Sequence, residues 1–370
     1  MIDSKKGQAM QPPFSYMLDN FLLARDNLQQ NNKSAHWDIF PSDYEKAITT
    51  TSAWPTFMRN SLSLGFNDDI ASVSNTRWDN SGDGGKSKKI DHDFDELIEA
   101  TITDEKHQKT ILNLAQAIIT LAGFDFFLKY LASDVGSPAT LETKYSPDGK
   151  QTQTFAVNGN DISILYYFYQ INRTFKATCK SNSPLIVEIG GGYGGLITKI
   201  KRSIPGARCI MLDLPEVTAV QTYYLYNEFP DKKFFYYNDW LERGSSIFEE
   251  DFDYLIAPGW MISHIPDVSV DLVINMRSMM EMTNSVISFY FKEIQRITMV
   301  GGLFTCFNRY YKTTAGEPVL LKHYPFDDYW KIILSQSSII QSGIHDLIVQ
   351  RQFRKNFFPI RETLKSLPPI

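Results

Sequence analysis

The chain has 370 residues, and its 37 Lys and Arg stand against 42 Asp and Glu, which gives a formal net charge of −5. This mildly acidic balance excludes the bulk positive charge that draws a whole protein to nucleic acid or to an anionic membrane, and leaves only a local basic patch open. Hydrophobic residues at 43% and charged residues at 21% exclude wholesale disorder. The length predicts two domains, or one domain with a large addition.

Three features bear on the compartment of the protein. Cys179, Cys209 and Cys306 are too far apart for a CxxC zinc site and odd in number for a disulfide framework. The start, MIDSKKGQAMQPPF, lacks the apolar core of a secretory signal. The apolar stretch 111–131 carries polar and charged side chains that spanning would place in hydrocarbon. We therefore expect a buried helix there, no stable membrane insertion and a cytoplasmic location.

The first part of the chain contains turn-forming residues at intervals that are typical of short helices joined by loops. Short helices broken by loops are expected from Phe14 to about Gly65. The polar stretch 80–89, NSGDGGKSKK, predicts an exposed loop. The acidic run DHDFDE that follows resembles a calcium-binding loop, but Glu96 and Ile102 stand where such a loop needs Gly and Glu. A solvated helix start is therefore favoured there.

A long apolar helix is expected over 108–131, followed by a hairpin or irregular excursion around 147–149 and a helix over 162–175. We therefore divide the chain into two domains. Residues 1–160 are expected to form a mostly helical domain that binds the acceptor, covers the site as a lid or mediates dimerisation. Residues 161–370 are expected to form the cofactor-binding domain.

After Pro184, apolar strands alternate with helical patterns, which predicts an α/β fold with a doubly wound parallel sheet. Strands are expected at 185–190, 208–214, 271–276 and 302–308, with helices at 195–203, 216–228 and 285–299. The segments 233–239 and 252–258 compete for the third strand. The segments 330–335 and 345–352 are candidates to extend the sheet as its last pair.

The sequence VEIGGGYGG closes one buried strand and opens a helix, so its glycines can form a tight turn that a ligand approaches closely. Gly190, Gly192 and Gly195 satisfy the GxGxxG dinucleotide pattern, which alone is weak. Asp213 ends the next strand and is placed to bind a ribose, a group that NAD and S-adenosylmethionine (SAM) share. Glu188 discriminates between these two cofactors, because an anion at its position repels a pyrophosphate and suits a ligand with a positive amino-acid end.

Glu188, Gly190, Gly192 and Gly194 form E-x-G-x-G-x-G, which resembles the cofactor loop of class I SAM-dependent methyltransferases. LDLPEV is similar to the segment after the second strand of O-methyltransferases, and DLVINMRSMMEM with GGLFTCFNRYY resembles the bacterial sugar O-methyltransferase family. The resemblance covers roughly 160–330. It implies a Rossmann-like class I methyltransferase sheet, SAM as cofactor, and methyl transfer to a sugar hydroxyl in cell-surface polysaccharide or glycoconjugate biosynthesis.

The resemblance and the chemistry of the side chains together give a set of expected site residues. Cofactor contacts are expected from Glu188, Gly190, Gly192, Tyr193, Gly194, Asp213, Leu214 and Asn275. For the adenine, the loop at Asn238 and Asp239 is preferred on its spacing, and the loop from Ala257 to Trp260 is also eligible. Acceptor contacts are expected from Arg277, Arg309, Tyr310 and Tyr324.

A sugar hydroxyl is a poor acid, so a general base within hydrogen-bond reach is expected. Glu281, just beyond the fourth strand, ranks first as catalytic residue, His323 and His264 follow, and His345 ranks last. The alternative role of Glu281 is to anchor Arg277 or to cap the next helix. No paired His or strand-end carboxylates form an evident metal site, so metal independence is expected.

Two functions of other classes stay open: an NAD-dependent oxidoreductase or epimerase on the same fold, and a methyltransferase-like binding protein without activity. The expected partner is a small-molecule or glycan acceptor, with no nucleic acid, and a homodimer stays open. Aromatic residues make up 14% of the chain. Those of the N-terminal region, Tyr16, Trp37, Tyr44, Trp54 and Trp78, are expected either to stack on sugar rings or to form a core or dimer interface.

Overall fold

The computed structural model of the chain describes residues 14–27, 44–63, 103–146, 152–313 and 315–367. The described residues of the N-terminal part are mostly helical, as predicted. Its elements are α1 (Phe14–Asp26), α2 (Tyr44–Thr49), two 3-10 helices (Thr51–Arg59 and Ser61–Ser63), α3 (Glu105–Ala122), α4 (Phe124–Lys129) and an antiparallel hairpin of β1 (Leu141–Tyr145) and β2 (Gln153–Val157). The predicted loop at 80–89, the acidic run after it and the turn of the hairpin lie outside the described residues.

The single apolar helix predicted over 108–131 is wrong, because α3 and α4 are separated at Gly123. The carboxylate of Asp104 caps α3 by accepting a hydrogen bond from the backbone N–H of His107. Gly123 ends α3 with a φ of +91°, a value that glycine adopts without a steric cost. Within the described ranges, neither these helices nor any other is both long and apolar enough to cross a bilayer.

The rest of the chain alternates strands and helices. The strands are β3 (Leu185–Ile189), β4 (Arg208–Asp213), β5 (Phe234–Tyr236), β6 (Tyr254–Pro258), β7 (Val270–Met276), β8 (Thr298–Arg309), β9 (Tyr311–Lys312), β10 (Val319–Leu320), β11 (Trp330–Ser337) and β12 (Ile344–Arg351). The helices are α5 (Gly159–Thr178), α6 (Gly195–Ser203), α7 (Pro215–Glu228), α8 (Tyr237–Arg243), α9 (Asn284–Ile297) and α10 (Ile360–Lys365). Short 3-10 helices lie at Gly244–Glu249, Gly259–His264, Met279–Glu281 and Leu321–His323.

Eight strands form one sheet in the order β11-β12-β8-β7-β3-β4-β6-β5. The strands from β8 to β5 in this order run parallel, and β12 and β11 are antiparallel additions at one end. The predicted Rossmann-like α/β class and the predicted closing strand pair are therefore confirmed. Both competitors for the third strand are strands, but β6 pairs with β4, and β5 lies outside it at the edge.

The parallel strands are covered on both faces, which explains why they are almost wholly apolar. Helices α5, α6 and α7 cover one face and α9 covers the other. Ile186, Glu188 and Met211 belong to the first face, whereas Val187 and Leu212 belong to the second, since side chains alternate along a strand. Glu188 is thus a carboxylate in an otherwise apolar layer.

The N-terminal helices share the core of the sheet. The ring of Phe57 lies within 6.4 Å of the rings of Tyr193, Tyr223 and Tyr224, and Trp54 lies 5.1 Å from Tyr223. The boundary expected after residue 160 falls in the first turn of α5, a helix that packs on the sheet. The helical region is therefore packed against the first face rather than attached by a linker.

Candidate functional site

The loop between β3 and α6 is built from glycines with positive φ. Gly190, Gly192 and Gly194 have φ values of +69°, +56° and +98°, which strain any other residue. A Cβ on Gly190 would also lie 2.1 Å from the hydroxyl oxygen of Ser278. The loop lies at the carboxyl edge of the parallel strands, where ligands bind in open α/β sheets.

The side chain of Asn275 holds the start of this loop in place through hydrogen bonds. Its amide nitrogen donates to the carbonyl of Ile189 at 2.9 Å and to Ser278 Oγ at 2.6 Å. Its amide oxygen accepts from Asn308 Nδ2 at 2.9 Å and from the backbone N–H of Met279 at 3.2 Å. The side chain is buried and its polar atoms are hydrogen-bonded within the protein, and the expected cofactor contact of Asn275 stays a prediction.

Glu188 places a carboxyl group against the inner side of the glycine loop. Its side chain is fully buried, and neither carboxyl oxygen accepts a hydrogen bond from a described residue. A Cβ on Gly191 would lie 2.9 Å from Glu188 Oε2. Burial, and then the charge of Asp213, raise the pKa of Glu188 to about 8. A buried acceptor without a donor is costly, so the geometry suits a ligand that brings a cationic donor.

Asp213, at the end of β4, forms the second carboxylate of the site. Its Oδ2 accepts from the backbone N–H of Gly192 at 3.1 Å and from Gln221 Nε2 at 3.2 Å, and its Oδ1 accepts from the backbone N–H of Leu214 at 2.8 Å. Burial raises its pKa to about 7 although the two backbone bonds lower it. Since a carboxylate offers about four lone-pair positions, Asp213 can accept a further hydroxyl.

The raised pKa of Glu188 predicts a stability that depends on pH. In the unfolded chain this carboxyl has its ordinary pKa near 4.5, and in the folded protein the pKa is about 8. Between these values the unfolded chain releases a proton that the folded protein keeps, so folding loses stability as the pH rises. The ligand-free protein should therefore lose on the order of 3–5 kcal/mol against its Glu188→Gln variant between about pH 4.5 and pH 8.5.

Urea unfolding of both proteins at several pH values measures this difference. The Glu188→Gln side chain keeps the shape and does not titrate, so it isolates the proton. A free-energy difference between the two proteins that stays constant over the whole range would contradict the assignment of a raised pKa to Glu188.

The loop after β6 borders Asp213 on its other side. Pro258 is the register partner of Asp213, and a Cβ on Gly259 would lie 3.7 Å from the carbonyl oxygen of Asp213 and 2.1 Å from the hydroxyl of Tyr290. Trp260 is half-buried and packs edge-on against Tyr237 at 6.2 Å, which leaves an indole beside this loop. The segment from Ala257 to Trp260, the second candidate for the adenine site, therefore lies next to Asp213.

The preferred segment, Asn238 and Asp239, lies one strand farther from the glycine loop, after β5. The hydroxyl of Tyr16 on α1 donates to Asn238 Oδ1 and to Asp239 Oδ2, both at 3.0 Å. Asn20 Oδ1 accepts from the backbone N–H of Asn238 at 3.1 Å. The side chains of α1 are hydrogen-bonded to this segment and β6 separates it from β4, so its position favours the alternative segment, and the preference stays a prediction.

Three tyrosines expected at the site have buried side chains with other partners. The ring of Tyr193 packs in the core that the N-terminal helices share with the sheet, so only its backbone belongs to the loop. Tyr324 packs against Phe291 with a ring distance of 5.5 Å. The hydroxyl of Tyr310 is hydrogen-bonded to His345 Nδ1 at 3.0 Å. The burial of these rings gives no support to the expected contacts of Tyr193 with the cofactor and of Tyr310 and Tyr324 with the acceptor, which stay predictions.

Glu281 lies beside the glycine loop, in the 3-10 turn that follows β7. Its Oε1 accepts from Lys312 Nζ on β9 at 2.9 Å, and the two side chains are 14% and 16% exposed. The terminal methyl of the adjacent Met282 lies 3.9 Å from the position of a Cβ on Gly190. Glu281 is therefore an ion-paired carboxylate close to the loop, and its charge contributes to the raised pKa of Asp213.

The histidines occupy other places. His323 is exposed at the end of a 3-10 helix that follows β10. His264 is exposed next to Ser263, whose carbonyl accepts from Arg296 in the last turn of α9. Since α9 leads into the start of β8, His264 lies towards the amino edge, a position that gives no support to its expected catalytic role. His345 is buried in β12, and burial lowers its pKa to about 4.

Two arginines end neighbouring strands on the same edge as Glu281. Arg277 follows β7 with a φ of +65°, an uncommon value for a side-chain-bearing residue and one that often marks functional segments. Its backbone N–H donates to the carbonyl of Phe307 on β8 at 2.7 Å. Arg309 ends β8, is half-buried and forms no ion pair with a described residue. Tyr311, 41% exposed, follows on β9 beside Lys312.

Sequence reasoning missed Ser278, Tyr290 and Lys312. Ser278 and Tyr290 fill the space against Gly190 and Gly259, and Lys312 pairs with Glu281. No spacing rule connects these residues to the glycine loop, because each reaches it from a different element. Within the described ranges, no group of three or more His, Cys, Asp or Glu is arranged to hold a metal ion.

Residues 145–239 match a family profile described as an O-methyltransferase domain. This segment begins in β1, ends just after β5 and includes the glycine loop with Glu188 and Asp213. This part of the chain, about a quarter of its length, is therefore similar to an O-methyltransferase domain. No protein with a curated description matches the sequence.

Several solved structures are similar over about half of the chain. Geranyl diphosphate methyltransferase in complex with SAM is 13% identical over 52% of this chain and 89% of that chain, with a TM-score of 0.34. An O-methyltransferase family protein from Burkholderia thailandensis is 10% identical over 52% and 59%, with a TM-score of 0.34. Human N-acetylserotonin methyltransferase in complex with SAM is 15% identical over 52% and 56%, with a TM-score of 0.29.

Proposed function

We propose that the chain transfers a methyl group from SAM to a sugar hydroxyl, in the synthesis of a polysaccharide or glycoconjugate. The observation that carries the cofactor side is the buried carboxyl of Glu188, whose oxygens accept no hydrogen bond from a described residue, under a glycine loop that ends beside Asp213. The ammonium of an amino-acid end would supply the missing donor as a charge-assisted hydrogen bond. The pyrophosphate of NAD brings no donor, so it would leave an oxygen of this buried carboxyl unsatisfied, and an oxidoreductase is disfavoured.

The loops at the carboxyl edge divide the cofactor among them. Glu188 would hold the amino-acid end, and the backbone from Gly190 to Gly194 would allow its close approach. Asp213 would accept from a ribose hydroxyl, and the indole of Trp260 would offer an apolar surface for the adenine. Bound SAM supplies an electrophilic methyl group on a sulfonium, and the tasks left to the protein are alignment, proton removal and exclusion of water.

The acceptor side lies over β7 and β8. The carboxylate of Glu281, held by Lys312, would accept the hydroxyl proton of the sugar and so make the sugar oxygen a better nucleophile. Tyr311 offers an exposed aromatic ring on which the apolar face of a sugar can stack. Arg277 and Arg309 supply positive charge for a phosphate or carboxylate of the acceptor.

The described aromatic residues of the N-terminal region do not offer a free ring on which a sugar could stack. Trp54 is buried and donates its indole N–H to the carbonyl of Ile48 at 3.1 Å, so it cannot stack on a sugar. The hydroxyl of Tyr16 is hydrogen-bonded to Asn238 and Asp239 at the start of α8. Trp37, Trp78 and the side chain of Tyr44 lie outside the described residues. We therefore place the acceptor at the edge of β7 and β8 rather than in the N-terminal region.

Replacing Asp213 by Ala should weaken SAM binding roughly tenfold to a hundredfold, at about 1.4 kcal/mol for each factor of ten. The carboxylate both accepts from the ribose and holds the N–H of Gly192, so Asp213→Asn should lose less. Calorimetry with SAM and its demethylated product measures the affinity, and NAD is the control ligand. Unchanged affinity in Asp213→Ala would reject the ribose assignment, and tight NAD binding without SAM binding would reject the cofactor.

Transfer of labelled methyl from SAM to a panel of acceptors tests the sugar. The panel contains sugar phosphates, nucleotide sugars and neutral glycans, with phenols as controls. Methylation of phenols alone would reject the sugar hydroxyl as acceptor, and SAM binding without transfer to any acceptor would favour a binding protein without activity.

A further inference from the structure

The loop between β12 and α10 presents three phenylalanines to solvent. Phe353, Phe357 and Phe358 are 78%, 88% and 76% exposed, more than any other large hydrophobic side chain among the described residues. Large apolar side chains exposed together on one segment mark interaction sites more often than single exposed ones do. The group is called the phenylalanine loop below and comprises residues 352–358.

This exposure is built into the fold. The backbone N–H of Asn356 donates to the carbonyl of Asp328 at 2.7 Å, and its side-chain amide donates to the carbonyl of Trp330 at 3.1 Å. The backbone N–H of Gln352 donates to the carbonyl of Tyr329 at 2.7 Å. The backbone is therefore anchored at its start and middle, while the three phenyl rings project outward.

Positively charged side chains lie beside the rings. Arg354, Lys355 and Lys331 are exposed and form no ion pair with a described residue. Lys331 and residues 352–357 together line a hollow of about 370 Å³. The chain as a whole carries a net charge of −5, so this patch is locally opposite to the molecule.

The phenylalanine loop lies at the amino edge of the parallel strands. β12 runs antiparallel to β8, and the side-chain amide of Gln350 donates to the carbonyl of Gly301 at the start of β8 at 3.0 Å. The glycine loop, Asp213 and Glu281 lie at the opposite edge. A partner on the phenylalanine loop would therefore leave the proposed methyl-transfer site uncovered.

We propose that the phenylalanine loop docks the protein onto the surface of an anionic lipid bilayer. Aromatic rings suit the boundary between head groups and acyl chains, and the neighbouring cations suit anionic head groups. A two-fold symmetric dimer through this loop would bring Arg354 and Lys355 against their own copies, which disfavours a second copy as occupant. Phe357 and Phe358 meet edge-on, at 86° and 5.0 Å, and so form no parallel platform for stacked bases.

Co-sedimentation of the full chain with vesicles tests the proposal. Binding is expected to vesicles of phosphatidylcholine and phosphatidylglycerol at about 3:1, to fall with salt, and to be weak with phosphatidylcholine alone. The variant F353S/F357S/F358S should bind at least roughly tenfold more weakly. The variant R354E/K355E should lose the preference for anionic vesicles by a similar factor.

Matched variants away from the loop control for general loss of apolar or positive surface. L112S/L121S/L241S removes three other exposed apolar side chains, and K106E/K109E reverses two exposed lysines on α3. Both should bind vesicles as the parent does. Equal binding to neutral and anionic vesicles, or full binding by F353S/F357S/F358S, would overturn the proposal. The proposal would also be overturned if the parent formed a dimer that F353S/F357S/F358S dissociates. Binding of single-stranded RNA by a protein that does not bind vesicles would overturn it as well.

Discussion

Replacing Glu281 by Gln is expected to lower methyl transfer to the acceptor roughly 10²–10⁴-fold, the usual effect of removing a general base. The glutamine side chain keeps the shape and a hydrogen-bonding oxygen but cannot take up the hydroxyl proton. Affinity for SAM should change little, because Glu281 is placed on the acceptor side of the glycine loop. Single-turnover transfer of labelled methyl, with cofactor affinity from calorimetry, separates the two effects.

Lys312 and Glu317 supply the controls for this experiment. Lys312→Met removes the cation that holds Glu281 and should lower turnover less than Glu281→Gln does, since the base itself remains. Glu317 is another carboxylate of the same region, which accepts from the backbone N–H of Asn284 at 2.7 Å, and Glu317→Gln should leave turnover nearly unchanged. Full activity in Glu281→Gln with a large loss in His323→Ala would assign the base to His323. Full activity in both would leave alignment as the source of catalysis.

Replacing Lys199 by Met is expected to destabilise the protein by about 3–5 kcal/mol, the range for breaking a buried ion pair from one side. Lys199 Nζ lies 2.5 Å from Asp161 Oδ1, with the side chains 2% and 3% exposed, and donates to the carbonyl of Tyr130 at 2.6 Å. Asp161 Oδ2 accepts from the backbone N–H of Ala132 at 2.8 Å. The pair thus joins α6, α5 and the segment after α4, and its loss leaves a buried carboxylate without its cation.

Urea unfolding measures this loss, and two variants interpret it. Asp161→Asn/Lys199→Met removes both charges and should cost less than Lys199→Met alone, because no buried charge is left unpaired. Lys176→Met, on the exposed side of α5, should stay within about 0.5 kcal/mol of the parent. Equal stability of the parent and Lys199→Met would show that the buried pair contributes no net stability.

The elements of the proposed cofactor site were predictable because their signals are local. The apolar run before Gly190, the glycines themselves and the helix at 195–203 are neighbours along the chain, so a short window contains the whole strand–turn–helix unit. Asp213 follows from the same logic, as the polar end of the next apolar strand. The role of Glu188 was predictable because burying a charged residue inside an apolar strand is costly unless a partner compensates it.

Side-chain directions and strand neighbours were decided only by the tertiary structure. The segments of β5 and β6 look alike in sequence, and the pairing of β6 with β4 depends on contacts between residues more than forty positions apart. Tyr193 stands in the glycine loop by sequence, but its ring is drawn into the core by Phe57 from the N-terminal region. Burial of a large ring contributes more than an exposed contact would, so packing overrides position in the motif.

The sequence by itself determined the α/β class, the glycine loop and the two carboxylates beside it. Only the tertiary structure decided that Asn275 supports the loop, that Glu281 meets Lys312, and that His264 lies towards the other edge. The physical reason is range: propensity, turn chemistry and strand-end polarity act over a few residues, whereas ion pairs, hydrogen-bonded supports and core packing join segments that meet only when the sheet is assembled.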